Sequence, residues 1–140
     1  MEHDGGCHCG NLRLRLRLTR PPEANATRSC ACSFCRAHAT RTLSDPAGHA
    51  DIGARDWSQV QRYRFASGTA DFLLCKTCGV YIGAVCDTPD GTRAVINVNS
   101  LADRAAFPPA SSFPDHDNEP VEARIGRRAA NWTPATIHAA

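Results

Sequence analysis

A mainly β fold of small antiparallel sheets, stapled by bound metal and carrying one or two short helices, is what this sequence predicts. Three observations lead there. Residues 12–18 alternate leucine and arginine without a break, the two-residue period of a strand with one buried face. Short apolar runs farther along are separated by turn residues and show little helical periodicity. Seven of the eight cysteines fall into three clusters, Cys7/Cys9, Cys30/Cys32/Cys35 and Cys75/Cys78; thiolates one or two residues apart can grip a single ion. At 140 residues the chain is expected to form one zinc-binding domain, residues 1–140, with a modest core.

The alternating strand ends at Pro21-Pro22. Its arginines, Arg13, Arg15 and Arg17, read as a solvated face that discourages edge pairing, with anion binding as the alternative. Residues 28–35 lead into a loop, and Asp45-Pro46-Ala47-Gly48 is turn chemistry. Residues 57–65 read as a strand, and Ser67-Gly68-Thr69-Ala70 turns the chain into another at 71–74. Residues 80–86 form a strand on which Val80, Ile82, Ala84 and Cys86 share a face, making Cys86 a small buried residue. Pro89-Asp90-Gly91-Thr92 is a hairpin turn and 94–98 the returning strand. A short helix is expected near 101–106 and irregular chain over 108–114. A second helix fits 119–130, where Val121, Ile125 and Ala129 recur every four residues with Arg124, Arg127 and Arg128 between them.

Small cysteine-dense chains are either disulfide-stapled and secreted or metal-bound and intracellular. The first six residues hold no basic segment or apolar core of a signal peptide. No apolar run approaches the roughly 18 residues that span a bilayer. A cytoplasmic protein with reduced, metal-bound thiols is therefore expected. The net charge of +2 is too slight to imply nucleic acid, and Lys76 is the one lysine among sixteen basic residues.

Seven thiolates divide naturally into four, which close a tetrahedral zinc site, and three, which leave one position open. Cys75-Lys76-Thr77-Cys78-Gly79 has the spacing of a zinc knuckle and supplies two ligands. Cys7 and Cys9, on the same side of an extended segment with His8 pointing away, are its natural partners. Such a site would join sequence-distant parts of the domain, so its binding energy becomes folding energy. Cys30, Cys32 and Cys35 are compact enough to wrap one ion from a single loop. The open position would take water, a substrate thiol or a carbonyl oxygen. His38 is a candidate fourth ligand or proton shuttle, and a second structural site closed by His38 or another residue is the alternative. His3, His49, His116 and His138 have no ligand-like context.

The set Gly6-Cys7-His8-Cys9-Gly10, Cys30-Ala31-Cys32-Ser33-Phe34-Cys35-Arg36 and Cys75-Lys76-Thr77-Cys78-Gly79-Val80 resembles the glutathione-dependent formaldehyde-activating enzyme family, which also contains centromere protein V. The likeness runs from Gly5 to about Leu101, through Asn97-Val98-Asn99-Ser100. It implies a β-rich fold bearing two zinc ions: a structural one on Cys7, Cys9, Cys75 and Cys78, and a more labile one on Cys30, Cys32 and Cys35 beside the thiol site. It also implies condensation of glutathione with formaldehyde to S-hydroxymethylglutathione, a carbon–sulfur lyase activity.

The leading expectation is thus a zinc-dependent enzyme that adds a thiol, glutathione or similar, to formaldehyde or another small aldehyde. Cys30, Cys32 and Cys35 form the catalytic centre, with Arg36, Arg41 or His38 stabilising the oxyanion or a substrate carboxylate. The rival is a non-catalytic zinc module that contacts protein or nucleic acid through Arg13/Arg15/Arg17 and Arg124/Arg127/Arg128. No membrane partner is expected.

Overall fold

A computed structural model describes residues 1–139. The strands in chain order are β1 (Glu2–Gly6), β2 (Leu12–Arg17), β3 (Thr27–Arg28), β4 (Thr42–Leu43), β5 (His49–Ala54), β6 (Val60–Tyr63), β7 (Asp71–Cys75), β8 (Tyr81–Thr88), β9 (Gly91–Asn97), β10 (Ala110–Ser112) and β11 (Thr133–Ile137). Two α-helices accompany them, α1 (Ser33–His38) and α2 (Val121–Asn131). Mainly β is therefore the observed class.

The expected small sheets are linked into one. A path β1-β2-β5-β11-β9-β4-β3-β10 carries a branch through β8, β7 and β6. The joint is β11: Thr133 and Pro134 pair antiparallel with β9, while residues 135–137 run parallel to β5. The β3/β10 pair is also parallel. No helix among the described residues is long and apolar enough to cross a membrane.

The alternation in β2 is realised in full. Leu12, Leu14 and Leu16 are at most 3% exposed, and Arg13, Arg15 and Arg17 face solvent. Leu14 lies opposite Ile52 and Leu16 opposite Ala50 on β5. Each such leucine contributes roughly 1.5–3 kcal/mol of burial. These side chains join Leu73, Ile82, Ile96 and Leu101 in the larger core cluster. A smaller cluster of Ala70, Ala84, Cys86, Val95 and Trp132 lies on the other side of the β8/β9 hairpin.

That split corrects the expected face of β8. Leu73 pairs with Gly83 but Leu74 with Tyr81, so Ile82 is an extra residue in the ladder. The bulge shifts the phase of alternation. Val80 and Ile82 pack on the larger cluster, Ala84 and Cys86 on the smaller one. Gly83 is required there, because an added Cβ would collide with the Val95 carbonyl oxygen.

Other elements differ in detail. Residues 57–65 open as a 3-10 turn, Trp57–Gln59, before β6. The helix expected near 101–106 is a single 3-10 turn, Arg104–Ala106. Residues 110–112 of the irregular segment pair with β3. In α2 the residue that becomes buried is Arg128, while Val121 is 45% exposed. This helix packs across β8 and β9, over the smaller cluster.

Candidate metal centres and the adjoining cleft

The fold gathers the seven clustered cysteines into two groups. Within each, the sulfurs lie within 4.8 Å of one another. Cys7, Cys9, Cys75 and Cys78 form the first, with Cys7 Sγ 3.6 Å from Cys9 Sγ and Cys9 Sγ 3.5 Å from Cys75 Sγ. Tetrahedral zinc with sulfur ligands spaces the sulfurs about 3.8 Å apart, so the donor set fits that ion. Both arms are tight turns. The Gly10 N–H donates to the Cys7 carbonyl (3.2 Å) and the Gly79 N–H to the Cys75 carbonyl (2.8 Å). Gly10 and Gly79 sit at φ +86° and +80°, the left-handed region that favours glycine. The N–H of Leu12 donates to Cys7 Sγ (3.2 Å) and that of Cys78 to Cys75 Sγ (3.5 Å), as thiolate ligands require.

Crowded thiols hold their protons unevenly. Burial opposes the Cys78 thiolate, but the N–H groups of Cys9 and Val80 and the neighbouring thiols draw it down to about 6. Cys9 receives a backbone bond from Asn11 that favours its thiolate, yet Cys75, desolvation and Cys7 together push it up to about 11.

The second group is Cys30, Cys32 and Cys35. Where the sequence suggested a loop, Cys32 caps α1: its Sγ accepts from the Cys35 N–H at 3.4 Å. A capping sulfur is one fixed by the first helical turn, and Cys35, on the next turn, is only 5% exposed. The Cys32 N–H donates to Cys30 Sγ (3.5 Å). Cys30 is drawn down to about 5, first by the Cys35 thiol, against burial, with help from Cys32 and nearby His116. The Cys35 thiol is held protonated by the same bond and by burial. Desolvation also raises Cys32.

These three sulfurs stand at one side of a cleft of about 320 Å³. Phe65, Phe72 and Tyr81 line it with aromatic surface, and Phe34 packs behind them, 4.9 Å from the Tyr81 ring. Tyr81 is buried, and burial beside the cysteines raises its phenol well above the ordinary value, so it stays protonated. Five arginines also line the cleft: Arg28, Arg36, Arg124, Arg127 and Arg128. Glu119 pairs with Arg127 (3.0 Å) and Arg124 (3.5 Å).

Three expectations are corrected by these positions. His38 is not aimed at the cysteines: its Nδ1 lies 3.0 Å from the Phe34 carbonyl, and its ring stacks on Phe34 at 4.2 Å. Arg41 is committed elsewhere, donating to the carbonyls of Arg104, Phe107 and Pro108. Arg124, Arg127 and Arg128 do not form an outward basic face, because α2 turns them onto the cleft. His116, by contrast, lines the cleft close enough to Cys30 to favour its thiolate. It lies 81 residues after Cys35 in an irregular segment, and no local spacing signals it.

The sequence model described as "Glutathione-dependent formaldehyde-activating enzyme" matches residues 2–114. A crystal structure of a Rhodobacter sphaeroides protein is similar at 27% identity and a TM-score of 0.52, over 71% of this chain and 87% of that one. The matched stretch holds all seven clustered cysteines and ends before α2. With the cysteine geometry and the extent of that match together, the chain belongs to the glutathione-dependent formaldehyde-activating enzyme family.

Proposed function

We propose that the protein adds a thiol, glutathione or a similar molecule, to formaldehyde or another small aldehyde, as a carbon–sulfur lyase-type enzyme working at Cys30, Cys32 and Cys35. The observation that carries this reading is three converging sulfurs at the wall of a cleft, with no fourth protein ligand grouped with them among the described residues. Cys7, Cys9, Cys75 and Cys78 would hold a structural zinc and the triplet a second one. Zinc on the triplet would supply a Lewis acid that lowers the pKa of a thiol to the neutral range.

The remaining work falls to the chain's own groups. In the addition, the thiol sulfur forms a bond to the carbonyl carbon, the C=O π pair moves onto oxygen, and that oxygen takes up the proton the thiol gave away. Tyr81 keeps its proton and lines the same cleft, so it is a neutral hydrogen-bond donor available to the developing oxyanion. His116 is held below the ordinary histidine value by burial and by Arg127, so it gives up a proton more readily than a free imidazole and can pass it on. Phe65 and Phe72 line the cleft with apolar surface, which would limit water around the hemithioacetal.

The test is Cys32→Ser, assayed with ¹³C-formaldehyde and glutathione by NMR and by metal content. The variant is expected to lose one of two zincs and the catalysed addition while keeping native circular dichroism. Full activity in the zinc-depleted variant would overturn the role of the triplet.

A further inference from the structure

Helix α1 ends at Ala39, whose backbone is left-handed at φ +48° and ψ +48°, a conformation that residues with a Cβ rarely adopt. Neighbours hold it there. Asn99 Nδ2 donates to the Ala39 carbonyl at 3.2 Å, and the Arg41 N–H donates to Asn97 Oδ1 at 3.3 Å. The Val98 N–H donates to the Arg41 carbonyl at 2.7 Å. The Asn97-Val98-Asn99 stretch, to which the thiol chemistry gives no role, thus grips residues 39–41 from the end of β9. The reversal turns Thr40 back toward α1, where its N–H donates to the Cys35 carbonyl at 3.1 Å. Thr40 is 3% exposed and is not among the residues lining the cleft. Its hydroxyl makes no hydrogen bond among the described residues, yet it stands near enough to Cys35 to favour a thiolate there. A buried hydroxyl without an acceptor carries an uncompensated desolvation cost, which an anion beside it removes.

Taking the triplet as a zinc site, as the proposed function does, we infer that Thr40 is a positioning residue of that site: its hydroxyl donates to the Cys35 sulfur once that sulfur is a metal-bound thiolate. The other two sulfurs already have backbone donors. Cys30 Sγ accepts from the Cys32 N–H at 3.5 Å and Cys32 Sγ from the Cys35 N–H at 3.4 Å. No N–H donates to Cys35 Sγ among the described residues, and Cys35 is the most buried of the three. Without Thr40, the sulfur farthest from water would carry its charge with no hydrogen bond at all. A donor to a metal-bound ligand draws charge from it and fixes its orientation. Thr40 gives each thiolate of the triplet one donor. Asn97 and Asn99 act one step farther out, by holding Ala39 in the turn that aims Thr40.

The experiment sets Thr40→Val, which keeps the shape and deletes the hydroxyl, beside Thr40→Ser, which keeps the hydroxyl. In competition with a chromophoric chelator, Thr40→Val should hold the triplet's zinc about tenfold more weakly than the native protein, and Thr40→Ser should stay near native. The zinc on Cys7, Cys9, Cys75 and Cys78 should be unchanged in both. Cobalt(II) on the triplet should show its sulfur-to-metal charge-transfer band at longer wavelength in Thr40→Val, because a thiolate that has lost its donor gives up electrons more readily. A merely structural Thr40 would weaken folding without moving that band. Native affinity and an unshifted band in a folded Thr40→Val overturn the proposal and leave the zinc on the triplet standing. A native protein that takes up only one zinc overturns the triplet's zinc and the role of Thr40 together. If Thr40→Val does not fold, the native protein decides: with ¹¹³Cd on the triplet, the Thr40 hydroxyl proton should be scalar-coupled to the metal in NMR spectra. Absence of that coupling overturns the proposal.

Discussion

Removing the two knuckle sulfurs should cost far more stability than removing two sulfurs of the triplet. In the folded chain Cys9 Sγ touches Cys75 Sγ across 66 residues of sequence. A bond closing a loop of that length removes about 4 kcal/mol of chain entropy from the unfolded state. The triplet closes only the five-residue step from Cys30 to Cys35, for which the same relation gives about 2 kcal/mol. For a chain near 150 residues each kcal/mol moves the melting temperature by about 2–4 °C. Cys75→Ser/Cys78→Ser should therefore melt about 8–16 °C below the native protein and Cys30→Ser/Cys32→Ser no more than about 8 °C below it. Each double variant should lose one equivalent of zinc. Calorimetric melting on metal-replete protein, with zinc counted by atomic emission, reads both. Equal losses of stability would refute the division into a structural and an open site. Retention of both zincs by either variant would refute the grouping of ligands.

Other perturbations reach the scaffold. Asp45 accepts from the Thr19 N–H and hydroxyl at 2.8 and 2.6 Å and from the Ala47 N–H at 3.0 Å. Burial works against its charge, but these bonds hold the carboxyl below its ordinary value of 3.8. A depressed folded-state pKa gives stability that is present above the unfolded value and lost as pH falls through the folded one. Asp45→Asn should thus destabilise by about 1–2 kcal/mol at pH 7, and the deficit should shrink below about pH 4; a deficit independent of pH in chemical denaturation would contradict this. Leu12→Ala, at a fully buried site, should cost about 2–5 kcal/mol in the same assay. Gly83→Ala forces a Cβ into the Val95 carbonyl and should cost more than about 1 kcal/mol; an unchanged melting temperature would show that the bulge yields freely.

What the sequence made legible was whatever depended on local spacing. The leucine–arginine period placed β2 with the correct face inward, and Pro89-Asp90-Gly91 placed the β8/β9 hairpin, where Thr88 pairs with Gly91. The cysteine spacings named the seven residues that the fold draws into two groups. The misses depend on pairings between distant segments. The two-residue strands β3 and β4, and β10 at three, are strands because neighbours pair with them, and nothing in Thr27-Arg28 marks them out. The bulge at Ile82 exists because β7 is one residue short of matching β8. In α2 a four-residue apolar repeat suggested which side would be buried, but Arg128 is the buried residue because Trp132 and Thr69 accommodate its guanidinium. Binary patterning has no means to anticipate a buried arginine.

The two cysteine groups are held by different kinds of structure. Cys7, Cys9, Cys75 and Cys78 come from turns at the ends of strands far apart in sequence, so an ion there would fix how the β1/β2 segment meets β7. Cys30, Cys32 and Cys35 come from one turn and one helical cap, held by backbone bonds within that short stretch. On the proposed reading, an ion on the triplet would exchange a ligand without unlinking the sheet. Arg128 reaches the cleft from α2, whose following residue Trp132 packs in the smaller cluster and not with either group of cysteines. Arg128→Gln should therefore leave zinc content at the native value; loss of zinc from that variant would show that the helix and the triplet are one cooperative unit.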